Sequence, residues 1–504
     1  MPEIATSRTT HRVAVVRAPQ ATYPLLTPYH PGERYPEYPF PQPVGTEPNH
    51  PYAALRQLLL ELGYDAAHFG TGRWNPLGGL VQPGMTVFLK PNFVLSRHSG
   101  GGDLWSIVTH PSVLRAIADY VWIALGGRGR IVLGDAPQYD CNFEELDRRG
   151  GLSQIVKFYR SHSGPAFDMV DLRRYWSKWK HFPSQLISLS GDPKGSLRVN
   201  LDGVSALKDL PNRDLLYGAV YDRRETVRAH TGGDHVYEVS RTIMEADVVI
   251  SVPKLKVHKK VGVTLNIKGL VGIATNKNLI VHYRIRPPTR GGDQYPDALL
   301  SRMERFLITT ERWMYDHLLA PRIRPLEYLH RSIYWLHNHT TRRLGVKVDE
   351  RKRLMDAGNW YGNDSAWRMA VDLFRLFCYA DRTGALREQP VRRTLSIVDG
   401  VIGGENNGPL APEARPAGVL IGGEDFVSVD LVATRLMGFD PRKIRMFTEI
   451  LADPRLAMGI RDLTDIEVVT SNPAWRHCLV DSRDRFLNFA PHPGWAGHVE
   501  VDVS

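Results

Sequence analysis

Six short, β-branched apolar runs recur along the chain and constrain its fold more than anything else in it. They are RVAVVRA (12–18), MTVFLKPN (85–92), RIVLGD (130–135), DVVISVPK (247–254), LSIVDG (395–400) and AGVLIGG (417–423). Each is nearly continuous rather than alternating, the pattern of strands covered on both faces. Between them, HPYAALRQLLLELG (50–63) and THPSVLRAIADYVWIALGG (109–127) read as helices. Proline stands in the first turn of each, Thr109 is the expected cap of the second, and Gly63 and Gly126 or Gly127 are the stops. Strand, helix, strand at this spacing calls for right-handed crossovers, which predicts an α/β fold: a mainly parallel sheet with helices on both faces.

Three segments interrupt that pattern. Residues 19–51 hold ten prolines and several tyrosines, with neither helix nor strand period; a loop this long is more often functional or disordered than neutral. Residues 165–245 read as a mixed insertion with short alternating pieces such as HVYEVSRTI. Residues 300–380 read as arginine- and aromatic-rich helices whose apolar positions recur at three and four, a helical insertion packed on the sheet. The α/β core is thus expected over 1–299 and 381–504. The basic run RRLGVKVDERKR (342–353) reads as a solvated helix face.

With 504 residues and 42% hydrophobic content the chain can bury a full core. Its net charge of +10 suits an acidic partner, whether a phosphorylated metabolite, a nucleic acid or a membrane surface. The cysteines, Cys141, Cys378 and Cys478, form no CxxC pair, so neither a disulfide framework nor a zinc or iron–sulfur site is indicated. MPEIATSRTTHR has no apolar signal region, and no apolar run approaches ~20 residues. The expected location is the cytoplasm, with no membrane span; oligomeric state is not encoded in any feature of the sequence.

Polar residues cluster where the apolar runs end. Lys90 and Asn92 follow VFL, Asp135 follows IVLG, Lys254, Lys256 and His258 follow VVISVP, Asp399 ends SIVD, and Glu424, Asp425 and Asp430 follow VLIGG. Ligands of open parallel sheets bind beyond the carboxyl ends of the strands, so these groups are expected on one rim. If 253–258 stays extended, Lys254, Lys256 and His258 share one face and Leu255 and Val257 the other. Beyond Gly262, Asn266 and Lys268 continue that parity unless a helix begins there. Lys277 and His282 extend the basic segment and could close over a ligand. Like charges this close need an anion or carboxylates to neutralise them. In VDGVIGGENNGPL, Gly400, Gly403, Gly404 and Gly408 allow positive φ or close backbone approach, and Glu405, Asn406 and Asn407 offer polar groups at the same rim. Thr109 and His110 open a helix whose N-terminus suits an anion.

LKPN, THPSVLRAIADYV, GDAP, ADVVISVPKLKVH, GVTLNIKGLVG, SIVDGVIGGENNGP and FVSVDLVATRLMG occur here in that order. The ordered set resembles the conserved blocks of the domain of unknown function 362 family, over about residues 85–150, 245–285 and 393–440. The resemblance implies an α/β domain and marks Lys90, Asn92, Asp135, Lys254, Lys256, His258, Lys268 and Asp399 as members of a family site. Many relatives carry a ferredoxin-like cysteine cluster that this chain lacks, so no iron–sulfur cluster is expected. The resemblance supplies no reaction.

The function expected from these residues is an enzyme, of open reaction class, acting on a small anionic metabolite. Lys90, Lys254, Lys256 and Lys268 would hold its phosphate or carboxylate, with Asn92, His110, Asn266, Glu405, Asn406 and Asn407 as further contacts. Asp135 or Asp399 would serve as general base or magnesium ligand, and His258 as general acid or orienting group. The rivals are a nucleic-acid-binding protein using the same basic rim, and a non-catalytic assembly factor whose Tyr/Pro loop recruits a partner.

Overall fold

A computed structural model describes residues 11–41, 44–178, 186–319, 323–343, 350–480 and 483–502. The first ten residues and most side chains of the basic run at 342–353 lie outside the described residues. One ten-stranded sheet organises the chain. Its strands are β1 (His11–Arg17), β2 (Thr86–Pro91), β3 (Arg130–Asp135), β4 (Ala166–Asp171), β5 (Val248–Val252), β6 (Lys254–His258), β7 (Gly262–Val263), β8 (Arg393–Glu405), β9 (Glu413–Gly423) and β10 (Ile466–Thr470). The order across the main path is β10-β1-β9-β8-β5-β2-β3-β4, with β6 and β7 as a branch on β8. The pairs β4/β3, β3/β2, β2/β5, β5/β8 and β1/β10 are parallel, as the apolar runs imply.

Alternate residues of each strand feed two separate cores. Phe88, Val132 and Val249 point into one, and Val87, Leu89, Ile131, Leu133, Val248 and Ile250 into the other. Helices α1 (His50–Glu61) and α2 (Pro111–Leu125) cover the second face. On the first lie α3 (Leu265–Gly269), α6 (Ala366–Tyr379) and α7 (Phe426–Leu436). Burial on both faces is why the strands carry no polar alternation.

Several local expectations change. His110, not Thr109, caps α2: its Nδ1 accepts from the Ser112 amide at 3.1 Å. Thr109 instead ties two strand ends together, donating to the Val252 carbonyl and accepting from the Asn92 amide. β9 runs antiparallel between β1 and β8, so Glu424 and Asp425 fall at the opposite edge of the sheet from Asp399; Asp425 caps α7 and Asp430 lies within it. VDGVIGGE forms the outer part of the 13-residue β8.

The Tyr/Pro segment is a packed strap rather than a free arm. Tyr29, Tyr38 and Phe40 are buried in the core on the α2 side. In the 300–380 region, α6 is buried in the core, whereas α4 (Arg302–Met314) and α5 (Arg324–Arg343) turn their apolar residues outward, against the expectation that those residues pack on the sheet. Their polar sides are already engaged by the protein, as described below. Among the described residues no helix is long and apolar enough to cross a membrane.

Candidate functional site

The strand ends build two neighbouring polar networks rather than one rim. β6 continues β5 past Pro253 and stays extended, with Leu255 and Val257 in the core, so Lys254, Lys256 and His258 do share a face. Register sets Lys254 directly against Asp399 of β8. Their ion pair, at 3.0 Å, has both side chains fully buried. Asp399 also accepts from the His110 amide at 2.9 Å and from the Tyr23 hydroxyl at 2.6 Å, and the Val401 amide lies 3.3 Å away. Tyr23, from the Tyr/Pro strap, stacks on the His110 ring at 4.0 Å and accepts from Lys254 at 2.7 Å. Burial raises the Tyr23 phenol well above its usual value and, with Lys254, drives His110 well below its own. This network is closed: its carboxylate and ammonium are fully paired inside the protein.

The second network opens on a cavity of about 640 Å³ lined by Asn92, Asp135, Lys256, His258, Lys268 and Lys277 among others. Lys259, Lys260 and Arg312 add further basic side chains to its wall, against the carboxylates of Asp135, Glu311 and Asp356. Lys90 stands just behind the wall, pairing with Asp135 at 3.1 Å, while the other Asp135 oxygen accepts from the Phe93 amide at 2.7 Å. Asp135 and Asp399 therefore serve different lysines in different networks. Among the described residues, no group of three or more His, Cys, Asp or Glu side chains is gathered closely enough to hold a metal ion.

Most of these ammoniums are buried. Lys256 donates to the Ile107 carbonyl at 2.5 Å, Lys260 to the Ala357 carbonyl and to Asn359, and Lys277 to the Val271 carbonyl at 2.5 Å. Burial first, then neighbouring lysines, push Lys256 and Lys260 well below the ordinary lysine range. Burial lowers Lys268 to about 8 and Lys277 to about 7, Asp135 opposing the latter. His258 is likewise held well below its usual value by burial and then by Lys268, so its imidazole is neutral. Its Nδ1 lies 3.0 Å from the Lys260 amide and accepts that hydrogen, which leaves the proton on Nε2 at the cavity.

α3 aims Lys268 at this space. The helix starts at Leu265, where φ is +36°, so strand parity ends there. The entrance is held by Asp430 of α7, whose carboxylate accepts from the Asn266 and Ile267 amides and from the Asn266 side chain. Asn266 in turn accepts from Ser396, so it anchors the helix and does not line the cavity. On the cavity wall, Asn92 Oδ1 and Thr264 Oγ1 are buried with no hydrogen-bond partner among the described residues.

The remaining candidates sit elsewhere. Glu405 accepts from the Ala490 amide, and Asn406 donates to Glu413 at 2.7 Å; neither these nor Asn407 lines the cavity. Gly400, Gly403 and Gly404 of β8 and Gly408 just beyond it serve close approach, since none of the four has positive φ. A Cβ on Gly408 would meet the Val257 carbonyl at 2.3 Å, and one on Gly404 the Ser106 carbonyl at 2.5 Å. Cys141, Cys378 and Cys478 are buried free thiols. Arg312, Tyr217 and Tyr283 line the cavity without any motif to announce them; Arg312 donates to the Tyr283 hydroxyl at 3.0 Å. The only signal for Arg312 was its place on the polar side of an amphipathic pattern.

Gly272 explains the last glycine of GLVG. Its Cβ would fall 1.9 Å from Asp135 Oδ1 and 2.7 Å from Lys90 Nζ, and its carbonyl accepts from the Ala136 amide at 2.7 Å. Gly272→Ala is expected to prise the Lys90–Asp135 pair apart and cost ~1–3 kcal/mol, the usual range for overpacking. Urea unfolding measures this; an unchanged midpoint means the segment shifts freely and the pair does not depend on it.

A curated relative, a thylakoid-associated protein of Synechocystis, is 24% identical over 225 residues, which is 45% of this chain and 46% of that protein. The chain thus matches less than half the length of that relative. No solved structure matches. The family model that matches takes in β5 to β8, α3 and the lysines of β6, while LKPN, THPSV and GDAP precede its span. A family model described as Domain of unknown function (DUF362) matches residues 208–435 of this chain.

Proposed function

We propose that this protein is an enzyme acting on a small metabolite that carries a phosphate or carboxylate, with the anionic group held in the cavity by Lys256, Lys268, Lys277 and Arg312. One observation carries the reading: basic side chains outnumber carboxylates around one cavity, and several of them are buried. Burying ammoniums together is costly unless something neutralises them, and an anionic guest would do so. Their burial favours a small guest over a nucleic-acid strand, which needs its cations on an open surface. Thr264 Oγ1, Asn92 Oδ1 and His258 Nε2–H would orient the rest of the guest. Lys277, near pH 7, is poised to accept or give a proton, which is what makes catalysis rather than storage the better reading. Three free cysteines fit a reducing cytosol.

The test is calorimetric titration with inorganic phosphate and with a panel of phosphate- and carboxylate-bearing metabolites. Lys268→Met is expected to weaken the best binder about 10- to 100-fold, the worth of one hydrogen bond to a charged group. It should leave the fold at least as stable, because an apolar chain replaces a buried ammonium. Equal affinity in variant and wild type would refute the reading.

A further inference from the structure

Helices α4 and α5 are built inside out. On α4, Met303, Phe306, Leu307 and Trp313 follow helical spacing on one side and are 54 to 67% exposed. On α5, Leu326, Leu329 and Ile333 recur at i, i+3 and i+7 and are 38 to 58% exposed. An ordinary surface helix turns such a stripe toward the core. Here the inward sides are polar and occupied: Glu304 pairs with Lys352 at 2.8 Å, Asp316 just beyond α4 pairs with Arg223 at 2.9 Å, and buried Glu327 accepts from Tyr221. Glu311, Arg312 and Tyr315 from the same region line the cavity. The helices cannot roll their apolar stripes inward without dismantling that wall.

The concentration is local. Of the 19 large apolar side chains exposed among the described residues, 12 fall within 303–336. An apolar patch of this density marks an interaction surface. Charge is segregated across it as well. The carboxylates of this region, Glu304, Glu311, Asp316 and Glu327, are half-buried or buried on the protein side, whereas Arg302 and Arg324 are exposed. The outward side is therefore apolar, with Trp313 exposed in it, Trp335 exposed beside it, and Arg302 and Arg324 exposed at the first positions of the two helices.

We propose that α4 and α5 form a docking face for an anionic lipid bilayer. The helices lie in the plane of the interface, with the apolar stripes among the upper acyl chains, the tryptophans at headgroup level, and Arg302 and Arg324 against lipid phosphates. This chemistry separates a bilayer from a second copy of the chain, which would present the same arginines to one another. The proposal does not depend on the anion-site reading, because the cavity lysines lie on the other side of these helices.

The experiment is flotation of the full chain with phosphatidylcholine vesicles, with and without about 30% phosphatidylglycerol, at low and high salt. Wild type is expected to float with the anionic vesicles and to be released by salt. The double variant Phe306→Ser, Leu329→Ser should lose about tenfold or more of that binding with its melting temperature unchanged or raised. Lys268→Met, a cavity variant, should float as wild type, which separates failure of this proposal from failure of the anion site. Wild type that floats with neither vesicle, or a double variant that floats equally well, overturns the proposal. So does a wild-type dimer in light scattering that the double variant converts to monomer without any vesicle binding, which assigns the face to a second copy.

Discussion

Asp399→Ala is expected to cost ~3–5 kcal/mol of folding stability, because it leaves the Lys254 ammonium buried without its counter-charge. Lys254 and Asp399 are both fully buried, and the carboxylate is the point where β6, β8, the start of α2 and the Tyr/Pro strap meet. Removing it strands the His110 amide and the Tyr23 hydroxyl along with the ammonium. Tyr23→Phe should cost less, ~1–3 kcal/mol, as it removes one donor and leaves the ion pair intact. Replacing both charges together, Lys254→Met with Asp399→Leu, should recover much of the loss, since an apolar pair of similar volume avoids the desolvation penalty. Urea unfolding followed by circular dichroism reads all three. A stable Asp399→Ala protein would mean that water or a rearranged strap satisfies Lys254 and that the network is not a clamp. Phosphate affinity supplies an independent check: Lys254→Met is expected to bind as wild type, because neither Lys254 nor Asp399 lines the cavity. Loss of affinity equal to that of Lys268→Met would show the two networks to be one site.

Anion affinity is expected to fall steeply as pH rises from 6 to 9. Without a guest, burial holds Lys277 near 7 and Lys268 near 8, so both lose their protons across that window. A bound anion favours the charged forms and so draws protons in. Each lysine that must be recharged lowers affinity about tenfold per pH unit above its own unliganded value, and the two together by ~100-fold or more over the range. Sulfate is the probe of choice, since its own charge is constant there. Titration in buffers of different ionisation enthalpy should report net proton uptake on binding; zero uptake across the range would eliminate these lysines as the binding groups. The same shifts fix a sign for stability. The folded values lie below the 10.5 of an ordinary lysine, so between about 7 and 10.5 the unfolded chain binds more protons than the folded one. Stability from these groups is then complete above 10.5, shrinks as pH falls, and is lost through 8 and 7. Thermal unfolding of the unliganded protein should show it, and sulfate should flatten the dependence.

Most of the sheet was legible because burial on both faces leaves a direct trace. Each of the six apolar runs is a strand, and the shared face of Lys254, Lys256 and His258 follows from alternation once residues 254–258 are extended. Strand direction left no such trace. AGVLIGG looks like any parallel strand, and only its pairing between β1 and β8 reveals it to be antiparallel, which carries Glu424 and Asp425 to the far edge. The glycines of β8 were recognisable as special, but whether by φ or by close approach depended on what packs against them. Of the strand-end groups, Asn92, Asp135, Lys256 and His258 meet at the cavity with Lys268 of α3, and Lys90 stands behind them. Lys254, His110 and Asp399 form the closed network with Tyr23.

The sequence by itself determined that lysines would stand at the ends of buried strands, because periodicity and residue type are local properties of the chain. It could not determine which of those lysines share a cavity, since one register shift or one turn of strap decides whether an ammonium meets a carboxylate or open space. Tertiary structure alone paired Lys254 with Asp399, left Lys268 and Lys277 on the cavity wall, and turned the apolar side of α4 and α5 outward. Amphipathic spacing tells that a helix has two sides; only what occupies the polar side tells which of them faces out.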